Sequence, residues 1–227
     1  LQVAFLRFHN AVVDHVRADT GLTRPSEIFV EAQRLVRWHY QWLILHEFLP
    51  KTVGQAMVDH VLTHGRKFYK WRNAPYIPVE FSVAAYRFGH SQVRPSYRVN
   101  FGPNDANQLF ALLFNDGLAV SPVAVDMRGG TRAPNRFIDW QTFFDFGDGR
   151  SRPNKKIDTT LSSVLFELMG QPPGTATSLA TRNLLRNLTM KVPSGQRVAR
   201  AMNLPELAPG DLSDLKDLSL HQRTPLW

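Results

Sequence analysis

The sequence predicts a mainly α, irregular multi-helix fold with long loops, and three observations predict it. Apolar residues in the first hundred positions recur at helical spacing over long stretches. Proline and glycine stand at the ends of those stretches, where helices start and stop. The middle of the chain, residues 97–136, is rich in Asn, Gly and Pro and carries only patches of apolar sequence, which reads as coil. With 227 residues, no internal repeat and no clean composition break, a single domain over 1–227 is expected, of a kind that wraps its loops around something.

In order, residues 2–20 read as a helix with Phe5, Phe8, Val12, Val13 and Val16 on one side and Gly21 as its stop. Pro25 and Ser26 open a second helix to about Phe48, with an inner stripe of Ile28, Ala32, Leu35, Val36, Trp42 and Leu43, and Pro50 is expected to end it. A shorter helix runs Val53–His64 and closes at Gly65. An aromatic-rich loop follows, and Pro78 starts a helix that carries His90 and finishes before Pro95. "NQLFALLFND" fits a short helix or a buried extended run. "FIDWQTFFDF" at 137–146 reads as a short helix and "GDGRSRPNKK" as a basic loop. Helices are expected near 158–169, 176–189 and 194–203, before a final coil.

Hydrophobic residues make up 43% of the chain and charged residues 20%, a globular composition, and "WLILHEFL" is interrupted by His46 and Glu47, so no membrane span is expected. The net charge is +8, and 20 of the 27 cations are arginine, which suits planar anions better than lysine does. The arginines are scattered along helices and form no basic block, which argues against a nucleic-acid partner. Cysteine is absent, excluding a disulfide frame, a thiolate nucleophile and a Cys-based metal site. Leu1 lies inside an amphipathic pattern and "RTPLW" ends without a turn signal, so a piece of a longer protein is expected, cut at both ends.

The candidate site begins at "AYRFGHSQVRPSY", residues 85–97. His90 follows Gly89, which clears one side of the imidazole, and lies between Arg87 and Arg94. Far downstream, "RNLLRN" sets Asn183 and Arg186 three residues apart, on one helix face. An amide oxygen there can accept from a ring N–H while a guanidinium one turn away pairs with a carboxylate. A haem-type ligand needs these features: a rigid carrier, clearance for the macrocycle, a partner for the second ring nitrogen, and cations for the propionates. A capping or core histidine and a solvated Asn/Arg helix face are the plain alternatives.

Three segments turn these features into a resemblance. "EAQRLVRWHYQWLILHEFLPKTVG" (31–54) resembles the long helix of the animal-type haem peroxidases. "FLRFHN" (5–10) is similar to the L-R-x-H-N helix that precedes it, and "AYRFGHSQVRPSY" is similar to their F-R-F/Y-G-H proximal helix. Order and spacing agree, and the details resemble bacterial members. The resemblance implies the proximal-side portion of that fold, with haem b as cofactor and hydrogen peroxide plus small organic or halide donors as substrates. It implies His90 as the proximal iron ligand, Asn183 as the asparagine on its other ring nitrogen, Arg186 on a propionate, and Arg87 at the haem edge or bracing the helix. The chain departs from the family in reading "LLRNLTMKVPSG" where an R-x-R-D-H-G-type motif is common, and in carrying Phe8 where a glutamate is common. In the family the distal histidine and arginine, most calcium ligands and the acidic residues that esterify haem lie upstream of the L-R-x-H-N helix. Covalent haem attachment and calcium are therefore expectations for a full-length protein, with ligands not in this chain, and the fragment alone is expected to be inactive. The resemblance leans toward an extracytoplasmic location and leaves the oligomeric state open.

Two relatives of that reading stay open: a haem-binding or adhesion protein without turnover, and a fatty-acid oxygenase, whose radical relay needs a tyrosine three residues before the ligand, where this chain has Arg87. A basic helical module that binds nucleic acid or an acidic polymer is the alternative outside the family. Other signals have plainer readings. His60 and His64 have zinc-like spacing without the metalloprotease glutamate. His39 and His46 suit helix packing, Asp145 and Asp148 a turn, and "MRGGTR" is too short to cradle a phosphate.

Overall fold

The structure is a computed structural model and describes residues 1–102, 109–112 and 137–227. It is mainly helical and divides into two compact units, Leu1–Arg72 and Asn73–Trp227.

The first unit is built on a helical hairpin. Helix α1 spans Gln2–Asp19 and helix α2 spans Pro25–Leu43. Pro25 sits at the first turn of α2, where its missing N–H costs nothing. Gly21 takes φ +70° in the connection, and the Thr20 hydroxyl donates to the Val16 carbonyl at 2.7 Å. Val12, Val16, Ile28 and Ala32 form the core, with Phe8, Val13, Leu22, Leu35 and Val36 packed around them. Burial of each Val or Ile side chain there contributes about 1.5–3 kcal/mol. Phe5 meets Tyr40 edge-on at 5.3 Å, Phe8 meets His39 at 5.4 Å, and the pairing runs antiparallel. Trp42 and Leu43, expected inside, are exposed instead.

Pro50 does not end the helix. The chain widens into a π turn at Ile44–Phe48, where the Leu49 N–H reaches back five residues to the Ile44 carbonyl, and α3 (Leu49–Val53) continues with Pro50 in its first turn. A π turn is one of the standard ways a helix absorbs an interrupted hydrogen-bond ladder. Gly54, at φ +87° and ψ 145°, makes the actual break, and α4 runs Gln55–His64.

In the second unit, α5 covers only Val79–Val83. Ala84 breaks it at φ −122°, ψ −71°, and residues Ala85–Gln92 wind as a 3-10 helix. Strand β1 (Ser96–Asn100) pairs antiparallel with β2 (Leu109–Leu112), so the described part of "NQLFALLFND" takes the extended one of its two expected forms, within a stretch otherwise read as coil. The register skips at Val99, whose carbonyl accepts from the Asp139 N–H at 2.9 Å. Asn100 Nδ2 donates to the Phe137 carbonyl at 2.8 Å, and Asp139 Oδ2 accepts from the Phe101 N–H at 2.9 Å. The expected helix at 137–146 is thus one 3-10 turn, Trp140–Thr142, tied to β1. The expected helix at 158–169 is likewise only Ser163–Leu165, because Asp158 Oδ1 takes the Thr160 N–H at 2.8 Å and Ser162 donates to the Val93 carbonyl, diverting the segment from a helical ladder. Helix α6 is Leu179–Thr189, capped by Ser178, and α7 is Gly195–Ala201, capped by Ser194. Buried Gln196 locks the C-terminal segment: it exchanges hydrogen bonds with Thr224 at 2.8 and 3.0 Å and donates to the His221 carbonyl at 3.2 Å.

Candidate functional site

His90 stands on the 3-10 helix, not on a continuation of α5. In a 3-10 helix residues i and i+3 eclipse, so Arg87 and His90 project from the same side. Ser91, 1% exposed, pins the position: its hydroxyl donates to the Phe88 carbonyl at 2.9 Å, approaches the Lys156 carbonyl at 3.2 Å and accepts from the Asp158 N–H at 3.1 Å. Gln92 Nε2 donates to the Lys155 carbonyl at 3.2 Å. The segment after His90 is stitched residue by residue to the loop at 153–162.

Asn183, on the inner face of α6 with zero exposure, brings its amide to 3.0 Å from His90 Nδ1 across 93 residues of sequence. Nδ2 faces the ring, and the buried Oδ1 lacks a partner among the described residues. Nitrogen and oxygen exchange places when the amide turns over, and Oδ1 then accepts from Nδ1–H. That tautomer leaves the Nε2 lone pair free for a metal. Asn187, one turn on and also buried, donates from Nδ2 to the Asn183 carbonyl at 2.9 Å and holds this turn of α6.

The electrostatics are one-sided. Burial lowers the His90 pKa below the ordinary imidazole value, and the positive charges of Arg87 and Arg186 lower it further. Burial and Arg186 also push the Arg87 guanidinium down, and Arg87 Nε is buried without a partner among the described residues. Two cations therefore converge beside a neutral imidazole, an arrangement that favours an anionic occupant. Gly89 completes it. A Cβ built there meets nothing nearer than Gln92 Oε1 at 4.0 Å, and the residue needs no positive φ, so neither packing nor backbone conformation explains the glycine.

All four expected residues are thus gathered in one neighbourhood. Sequence reasoning missed Ser91, Asn187 and the 153–162 loop. The repeat of asparagine at i+4 in "NLLRN" was the available signal for Asn187; nothing local marks the loop. Elsewhere, His60 and His64 stack at 4.6 Å with His64 Nδ1 3.1 Å from the His60 carbonyl, a helix-end arrangement. Asp145 and Asp148 accept from the Gly147 and Arg150 N–H groups at 2.9 and 3.0 Å, as turn residues do. "MRGGTR" lies outside the described residues. Among the described residues no cluster of three His, Cys, Asp or Glu could hold a metal ion, and no helix is long and apolar enough to cross a membrane.

Fold and site together define a helical scaffold presenting one braced imidazole between cations. The family model for animal haem peroxidases matches residues 1–223, and the chain belongs to that family. It is 33% identical over 98 residues to a peroxidase-like protein of Margaritifera margaritifera, covering 41% of this chain and 12% of that protein. It is 32% identical over 104 residues to the chorion peroxidase of Drosophila melanogaster (44% and 13%), and 29% identical over 99 residues to the thyroid peroxidase of Sus scrofa (43% and 10%). Among solved structures, peroxidase A of Dictyostelium discoideum superposes with a TM-score of 0.53 at 20% identity, covering 91% of this chain and 36% of that one. The likeness to that structure concerns the fold. The matched stretches span only about an eighth of these relatives' lengths.

Proposed function

We propose that this chain forms the proximal half of the haem site of a hydrogen-peroxide-dependent peroxidase, with His90 Nε2 as the axial ligand of a haem b iron. The observation that carries the reading is the fully buried Asn183 amide 3.0 Å from His90 Nδ1. A buried amide committed to one ring nitrogen fixes the tautomer and aim of the other, which is what an iron ligand requires. The orphaned Arg87 Nε, the nearby Arg186 charge and the unexplained glycine fit a large, flat, anionic group lying on this face. Bound haem supplies peroxide reduction and the oxidation of small organic or halide donors. The chain's own residues would hold it: His90 would offer its Nε2 lone pair, Asn183 would hold the Nδ1 proton, and Arg87 and Arg186 would neutralise propionates.

An oxygenase-type radical relay is disfavoured. Tyr86 is 69% exposed and lies about 120° around the 3-10 helix from His90. The test is haem titration of the chain. Wild type gives a saturable Soret band, His90→Ala loses it, and added imidazole restores it. An unchanged band and spin state in His90→Ala removes the assignment.

A further inference from the structure

The basic loop after Gly149 has no part in the site above. Arg150, Arg152, Lys155 and Lys156 place four cations in seven residues, with no acidic residue among them. In the fold this loop and the start of β1 enclose a half-open cavity of about 530 Å³, whose walls include Arg94, Tyr97, Arg98, Phe143, Arg152 and Lys155. That size suits a small organic ligand. Among the described residues four cations line the cavity and no carboxylate does.

Two of the cations are held in place. Arg94 Nη2 donates to the Pro153 carbonyl at 2.7 Å, and the Arg94 N–H donates to the Tyr97 hydroxyl at 3.0 Å. Arg98 donates to the Arg150 carbonyl, and its guanidinium lies 4.7 Å from the Phe101 ring centroid. The side chains of Arg152 and Lys155 make no hydrogen bond or ion pair among the described residues, so they remain available. Like charges drawn around one concavity repel, and an anion between them converts that repulsion to attraction.

We propose that this cavity binds a small organic anion of the aromatic carboxylate class. Guanidinium forks match the two carboxylate oxygens. Phe143, Tyr97 and the flanking prolines offer flat apolar walls for a ring. An extended polyanion fits less well, because the cations surround a concavity and Arg150 and Lys156 fall outside its lining. None of His90, Arg87, Asn183 or Arg186 lines the cavity, so the proposal stands apart from haem.

The experiment is a ¹⁹F NMR titration of the whole chain with 4-(trifluoromethyl)benzoate at low ionic strength. Expected are saturable one-site binding, at least a tenfold rise in Kd for Arg152→Glu/Lys155→Glu, and no change for the control Arg197→Glu. The double variant touches no internal hydrogen bond, and its circular dichroism melt should match wild type. The uncharged 4-(trifluoromethyl)benzamide should not compete. Absence of saturation, equal binding by the double variant, or equal competition by the amide overturns the proposal. So does tight heparin binding lost in the double variant when the benzoate fails to bind, which would make the surface a polyanion contact.

Discussion

What Asn183 does for His90 depends on which end of its amide faces Nδ1, and both the metal chemistry and the stability follow from that choice. With Oδ1 toward the ring, Nδ1–H is held and Nε2 is the donor. Asn183→Asp replaces a neutral acceptor with an anionic one, so His90 should titrate higher and, with haem bound, show a raised iron–imidazole stretching frequency in resonance Raman spectra. Asn183→Ala leaves Nδ1 of the half-buried His90 ring without its partner and should cost about 1–3 kcal/mol in urea unfolding. The pH dependence has a fixed sign. His90 titrates below 6.5 in the folded chain, so as pH falls below 6.5 the unfolded state takes up its proton first. The site's stability is complete above 6.5 and declines as pH falls toward the lower folded value. His90→Gln should flatten that part of the melting-temperature profile. Gly89→Ala separates fold from cofactor: unfolding should stay within about 0.5 kcal/mol of wild type, since the Cβ meets nothing close, while haem affinity falls at least tenfold if a macrocycle lies on that face.

Two elements show how locally the fold is decided. Gly54 has open space where a Cβ would stand, yet its φ of +87° with ψ 145° lies in a region nearly closed to other residues. Gly54→Ala should therefore destabilise the first unit by about 1–3 kcal/mol with no steric clash, read as a lower urea midpoint at unchanged m-value. The helical hairpin was legible in the sequence because its apolar spacing carries 3.6-residue periodicity over nearly twenty residues per helix. The segment bearing His90 was legible only in part. Its position after α5 was readable, but its 3-10 winding depends on Ser91, Gln92 and Ser162 bonding to carbonyls and N–H groups more than sixty residues away in sequence. The same competition by short polar side chains dissolved the helix expected at 158–169. Local patterning carries no trace of such distant partners.

At the scale of the whole molecule, the meeting of His90 with Asn183 illustrates what patterning cannot supply. Each residue sat in a readable helical context, but only the resemblance to a family joined them across 93 positions. The distribution of apolar surface was also illegible in advance, because periodicity predicts a buried face and does not say whether a neighbour exists to bury it. Trp38, Trp42 and Phe48 in the first unit are each more than half exposed, as are Phe137, Phe146 and Leu188 in the second. Large apolar side chains left open to water gain free energy from burial against another surface. A net charge of +8 opposes association but acts over a Debye length of about 10 Å at 0.1 M salt, so screening should release it. The chain should therefore bind the dye ANS in its folded state and sediment at a mass that rises with concentration, more steeply at 0.5 M than at 0.05 M sodium chloride. Haem loading should leave the sedimentation unchanged if these residues lie away from the cofactor, whereas a concentration-independent monomer without dye binding would mean that the exposed aromatics are covered in solution.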